Sequence, residues 1–436
     1  MKTTKTMWVM LIALLTATSC SETETEIDPE PGSGGQVSLG ITPNLKVDAG
    51  TKAATKSVVS GEAITYPVEQ FTSSDYTPGL GVLVTNSDVT GWYTPDGTEY
   101  EGHHVWYMGD DKGANWKSIK RKGDTFGETE EVPYYLKKDV GKVYAYYPYN
   151  SSLSLSISKE DDLKIPVTIL ASGEIDASTS NAKKTWSVDK WVSVTYKTPV
   201  TLAASTEKDY LYFAADGGRY VNNGRADGAT PVAPDVIPDN TDSKNPGYKI
   251  NLDMKHALSM VSFRVYDSGN LSDKVVTLTK FKIKNHAGSP TPFKTGDGYM
   301  LLRNGEITGL STTTGMERTI TNYTLMKQIA EDGKEGENAF IETGKSSSAV
   351  NGQTVSKAVS ALVYPIVNFG DNEIDVEITL QVGTNTSDVY PVSLPGNTWD
   401  AGNNYIYTFS AGRNKMTLMD VKVEKWNDMD QGEIPL

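Results

Sequence analysis

The 436-residue chain carries 41 Lys and Arg against 55 Asp and Glu, for a formal net charge of −14, and holds a single cysteine. An acidic chain with no basic run argues against nucleic-acid binding and against electrostatic adhesion to anionic lipid, and one cysteine excludes an internal disulfide. Its 39 glycines, 23 tyrosines and many Ser and Thr favour strands and turns over helices, and no solenoid-type repeat is present.

The first element is a targeting segment. Lys2 and Lys5 precede an apolar run of 11 residues, Met7 to Ala17, and Ala17-Thr18-Ser19 leads into Cys20. Eleven residues cannot cross a hydrocarbon core that needs roughly 20 in helix, so residues 1–19 read as a secretory signal peptide outside the fold. Leu15 to Cys20 resembles a bacterial lipobox, whose cysteine becomes the lipid-bearing first residue. A leftover thiol after an ordinary cleavable signal is the other reading. Removing residues 1–19 leaves 417 residues and takes away Lys2 and Lys5, moving the charge from −14 to −16. Glu22, Glu24, Glu26 and Asp28 then alternate as in the acidic export signal of surface lipoproteins in Bacteroidetes-type bacteria, although a solvated acidic spacer has the same composition.

Residues 20–60 form a lipidated tether marked by Pro29, Pro31, Gly32, Gly34 and Gly35. Val37 to Val47 and Lys52 to Val59 regain β character and predict an edge strand or one that moves. No arginine precedes Arg121, so the basic positions ahead of the core are Lys46, Lys52 and Lys56.

Residues 61–245 read as a first β-sandwich of short strands between turn clusters. The candidate strands are Gly81–Val84, Val105–Met108, Lys142–Pro148, Leu163–Ile169, Trp191–Tyr196 and Tyr210–Phe213. Trp92, Trp106, Trp116, Trp186 and Trp191 lie here. Trp106 and Trp191 sit in apolar strand patterns and predict core, whereas Trp92 and Trp116, in loops rich in Gly and Asp, are candidates for a ligand platform.

Pro231, Pro234, Pro238 and Pro246, mixed with Asp and Asn, mark a linker. Residues 246–436 read as a second sandwich. Val261, Phe263 and Val265 alternate with Ser262, Arg264 and Tyr266, and Ile374 to Val382 keeps strict period two; both predict half-buried antiparallel strands. Within Val276–Ile283 and within Met416–Val423 the apolar parity slips by one residue, as a β-bulge requires. Only Ile320 to Glu331 shows helical spacing.

Chemistry-bearing constellations are few. His103 and His104 are adjacent and would point to opposite faces of a strand; His256 borders a strand start and His286 a turn, with no zinc-ligand spacing. Asp110-Asp111, Asp161-Asp162 and Asp239 to Asp242 lack the spacing of a calcium loop. No nucleophile elbow, phosphate loop or dinucleotide fingerprint is present, so no enzyme activity and no cofactor are expected.

The ordered set of Cys20, the Lys52–Ser60 segment, Asp209-Tyr210-Leu211-Tyr212, Leu252 to Val261, Ala361-Leu362-Val363-Tyr364-Pro365, Asn403 to Thr408 and Val421 to Trp426 resembles the fimbrillin, or major-fimbrium-like, family of Bacteroidetes type V pili. The resemblance covers most of the mature chain. It implies an all-β protein of two tandem transthyretin-like or immunoglobulin-like β-sandwiches, anchored in the outer membrane by lipid on Cys20 and polymerising with other pilin subunits. Assembly in that family follows removal of a first strand, whose groove is filled by a strand of the next subunit. Cleavage there often follows an arginine; here Lys52 or Lys56 would have to serve, and an uncut chain would be an anchor or accessory subunit. A surface glycan-binding lipoprotein of a polysaccharide-uptake system, using Trp92 and Trp116, is the competing expectation.

Overall fold

The computed structural model describes residues 37–44, 79–95, 103–109, 116–121, 129–137, 139–177, 201–202, 207–213, 220–221, 249–269, 271–312, 315–329, 339–344, 358–385, 387–413 and 415–425. The signal segment, Cys20, Lys52, Lys56, the expected Trp191–Tyr196 strand, Trp186 and the proline-rich linker lie outside them.

In chain order the strands are β1 (Val37–Ser38), β2 (Gly40–Asn44), β3 (Leu80–Asn86), β4 (His104–Gly109), β5 (Trp116–Arg121), β6 (Thr129–Glu131), β7 (Tyr135–Leu136), β8 (Gly141–Tyr147), β9 (Lys164–Ile169) and β10 (Ser172–Asp176). They continue as β11 (Thr201–Leu202), β12 (Leu211–Phe213), β13 (Tyr220–Val221), β14 (Lys249–Asp253), β15 (Lys255–His256), β16 (Ser259–Asp267), β17 (Val276–Asn285), β18 (Lys294–Leu301), β19 (Ile307–Thr308) and β20 (Ser311–Thr312). The last are β21 (Met316–Thr321), β22 (Met326–Ile329), β23 (Ala339–Glu342), β24 (Ala358–Val363), β25 (Ile366–Phe369), β26 (Ile374–Val382), β27 (Ser387–Ser393), β28 (Asn397–Trp399), β29 (Asn403–Ala411) and β30 (Met416–Lys425). The described fold is all-β, with one three-residue 3₁₀ turn at Glu160–Asp162.

Two hydrophobic cores organise these strands. The larger lies between the sheet β10-β21-β17-β26-β27 and the sheet in which β16 pairs β24 and β29, with β30 beyond β29. Phe263 of β16 meets Phe281 of β17 edge-on, with centroids 4.8 Å apart, as sheets packed face to face require. Trp399, fully buried, donates Nε1–H to the Tyr407 hydroxyl at 2.9 Å and lies edge-on to Phe293 and Phe369.

The smaller core is built on the sheet β15-β12-β8-β3-β4-β5-β6. Period two divides β3 and β8 between the cores: Val82, Val84, Val143 and Ala145 enter the smaller one, Leu83, Tyr144 and Tyr146 the larger. Strand pairing also crosses the sequence over long separations. β9 pairs β18, β10 pairs β21 in parallel, and β11 pairs β24 in parallel.

Both parity slips are bulges. Thr279 is skipped between the Leu278–Leu380 and Lys280–Thr379 pairs, and Met419 between the Asp420–Thr408 and Leu418–Phe409 pairs. β26 alternates in burial from Ile374 to Ile378, but Thr379 is buried as well and Val382 is only half-buried, so the strict period two of its sequence is not kept to the strand end. Two expectations are overturned. β16 is buried along its whole length and is not purely antiparallel: it pairs β24 antiparallel and β29 parallel, and on the face expected to meet water Ser262 bonds both Ser360 (2.9 Å) and Asn404 (2.6 Å). Ile320–Glu331 is not helical: its described part belongs to β21 and β22, separated where Asn322 takes φ +57°. Between them Tyr323 and Leu325 continue a main-chain ladder to Leu278 and Val276, which binds the segment more tightly than its local spacing suggests.

Candidate functional site

Residues 37–44 are the N-terminal described segment, and they lie on the smaller core. Val37 and Ser38 run antiparallel to Leu136 and Tyr135, and Gly40–Asn44 then run parallel to Lys249–Asp253. Among the described residues this segment is the only strand partner of both β7 and β14. Alternate side chains point inward: Leu39 and Ile41 are 3% and 4% exposed, while Ser38 and Thr42 face solvent. Leu39 packs in one cluster with Leu80, Val82, Tyr107, Tyr134, Leu136 and Leu252. Its N–H donates to the Tyr134 carbonyl at 2.8 Å and its carbonyl accepts from the Tyr107 hydroxyl at 2.8 Å.

A second constellation gathers histidines and aromatics beside β3 and β4. His103 stacks on Trp92 with centroids 3.6 Å apart and planes 10° from parallel. Trp92 is half-buried, bridges Thr85 and packs against the larger core. His104 lies 2.7 Å by Nε2 from the Tyr146 hydroxyl, which also accepts from the Asn150 N–H at 3.1 Å. Burial, reinforced by His103, depresses the His104 pKa to about 4. Trp106 is buried and stacks on Tyr149 at 5.1 Å. Trp116, expected in a loop, opens β5 and packs half-buried against the smaller core.

A third cluster spans the segment just before β12. Glu207 and Arg318, both fully buried, form an ion pair in which Arg318 Nε donates to Oε1 at 2.9 Å and Nη2 contacts the same oxygen; Nη2 also reaches the Leu170 carbonyl at 3.1 Å. Burial pushes the Glu207 carboxyl above its ordinary range and the guanidinium opposes that shift. Asp209 meets His256 Nδ1 at 2.9 Å, and the Tyr210 hydroxyl accepts from the Thr168 N–H at 2.9 Å.

The remaining candidates serve structure. Asp162 accepts from the Ser158 N–H and hydroxyl at 2.9 Å each, Asp161 pairs with Arg303 at 2.7 Å, and His286 pairs with Asp375 at 2.9 Å. Asp110-Asp111 and Asp239–Asp242 fall outside the described residues. No three His, Cys, Asp or Glu side chains converge among the described residues. Sequence reasoning missed the Tyr107 contact and the Glu207–Arg318 pair. A signal for the latter existed: Arg318 shares its strand face with Met316 and Ile320, so period two turns it inward.

Similarity to known proteins falls on the same chain. A comparison with curated proteins returns no match. Among solved structures the chain is similar to a candidate cell adhesion protein of Bacteroides uniformis, with 14% identity, TM-score 0.41, and coverage of 91% of this chain and 100% of that one. It is also similar to a fimbrial protein of Bacteroides vulgatus, with 14% identity, TM-score 0.39, and coverage of 90% and 100%. A third is the C-terminally truncated tip fimbrial protein Mfa3 of Porphyromonas gingivalis, with 10% identity, TM-score 0.31, and coverage of 80% and 93%. Residues 235–426, which include all of β14 to β30, match the family model described as fimbrillin-like. By that match the C-terminal part of the chain, residues 235–426, is fimbrillin-like.

Proposed function

We propose that the chain is a structural or accessory subunit of cell-surface fimbriae that assembles by strand exchange at the groove held by residues 37–44, and carries out no turnover chemistry. The observation behind this reading is that one short segment supplies the strand partner of both β7 and β14 and fills the apolar positions between them. An incoming strand can replace it through main-chain hydrogen bonds and alternate side chains. Lipid on Cys20 holds the precursor at the outer membrane, and cleavage at Lys52 or Lys56 converts the segment from a tethered strand of high effective concentration into a dissociable peptide. Division into units 61–245 and 246–436 belongs to the same proposal, with β9 to β11 contributed by the first to sheets of the second.

The double change Lys52→Gln, Lys56→Gln should leave full-length lipoprotein on the cell surface and no polymer ladder in unboiled detergent. Normal fibres from that variant would refute processing at these lysines. The competing reading, a surface glycan-binding lipoprotein, rests on Trp92 and Trp116; loss of glycan-array binding by Trp92→Ala and Trp116→Ala at a temperature where both variants remain folded would favour it.

A further inference from the structure

We propose that the groove recognises the main chain of the strand it receives at one residue, and that Tyr107 is the side chain that reads it; this rests on the strand-exchange function above. The occupant is an extended segment of another subunit with two apolar side chains two residues apart, the pattern Leu39 and Ile41 present now.

Leu39 is the point at which the segment changes partners. Before it the strand runs antiparallel to β7, and after it parallel to β14. At such a crossover the residue has no complete ladder on either side, and a buried carbonyl without a donor is costly. The Leu39 N–H keeps a main-chain partner in the Tyr134 carbonyl, while its carbonyl takes the Tyr107 hydroxyl, 2.8 Å away and 1% exposed with the rest of that side chain. A phenol on β4 thus stands in for the missing backbone N–H. Because the contact is to a carbonyl that every residue owns, it fixes where a strand sits without restricting its sequence. Selection falls to the two inward side chains, while Ser38 and Thr42 at the solvent positions leave those places unspecified.

The test uses the full chain with a site-specific protease sequence placed within residues 45–50, cut in solution, and a fluorescent peptide of residues 37–44 (VSLGITPN) as the probe. Tyr107→Phe should raise the probe's dissociation rate roughly 5- to 30-fold. Tyr93→Phe is the control, since its hydroxyl bonds the Lys137 main chain in the same core, and should leave that rate unchanged. On the unaltered cut protein, a probe with an ester in place of the Leu39–Gly40 amide presents a weaker carbonyl acceptor and should dissociate faster by a similar factor. On Tyr107→Phe the ester and amide probes should differ less, as a coupled pair requires. Equal rates for Tyr107→Phe and Tyr93→Phe, or an ester probe that binds the unaltered protein as well as the amide, would overturn the role of Tyr107 while leaving strand exchange intact. A probe that never enters the cut protein would overturn strand exchange itself, and this inference with it.

Discussion

His104 shows how one buried side chain sets a pH response. Burial and the neighbouring His103 disfavour its charged form, so the folded chain resists protonating it until about pH 4, whereas the unfolded chain does so near 6.5. Between those values the unfolded state binds more protons, so stability rises with pH. The contribution is complete above about 6.5 and is lost as pH falls towards 4, by up to about 3 kcal/mol. Urea unfolding at pH 7 and pH 4.5 should show this loss in the wild type and a smaller one in His104→Gln; equal losses would contradict it. The tryptophans divide by packing. Trp106→Ala removes a buried ring stacked on Tyr149 and should cost roughly 3–5 kcal/mol, while half-buried Trp92→Ala should cost about 1–2 kcal/mol, both read from denaturant midpoints.

At the scale of the element, parity is informative and polar exceptions to it are costly. The bulges at Thr279 and Met419 were legible because a one-residue slip would otherwise turn half of each strand's apolar set to water. β21 keeps strict alternation and buries Arg318 as a consequence, which Glu207 answers from a segment 111 residues away. Arg318→Met should therefore destabilise by roughly 3–5 kcal/mol at pH 7, because Glu207 loses the guanidinium that opposes its burial and must stay in a dry site without that charge or take up a proton. Adding Glu207→Gln should recover part of that loss; a single Arg318→Met variant as stable as the wild type would show the pair to be dispensable. The misread helix at Ile320–Glu331 has the opposite lesson. Its apolar spacing suited either period, and the ladder from Tyr323 and Leu325 to the next strand decided the outcome.

For the molecule as a whole, the sheet holding β3 and β8 faces both cores, with alternate residues of the same strands in each. Opening one core therefore removes packing from the other. Hydrogen exchange should give amides of β8 and β16 the same opening free energy, and exchange of β8 at much lower cost would refute that coupling. The sequence by itself determined the all-β class, the positions of several of the longer strands, both bulges and much of the apolar alternation, because period two is a local property of an extended backbone. Only the tertiary structure decided which strands are neighbours: that Leu39 sits between β7 and β14 under the Tyr107 hydroxyl, that β9 and β10 join β18 and β21, and that β16 is covered on both faces. Alternation tells each residue which face it takes and says nothing of the strand beside it, since main-chain ladders are chemically alike and their choice is settled by which distant side chains fill the same core.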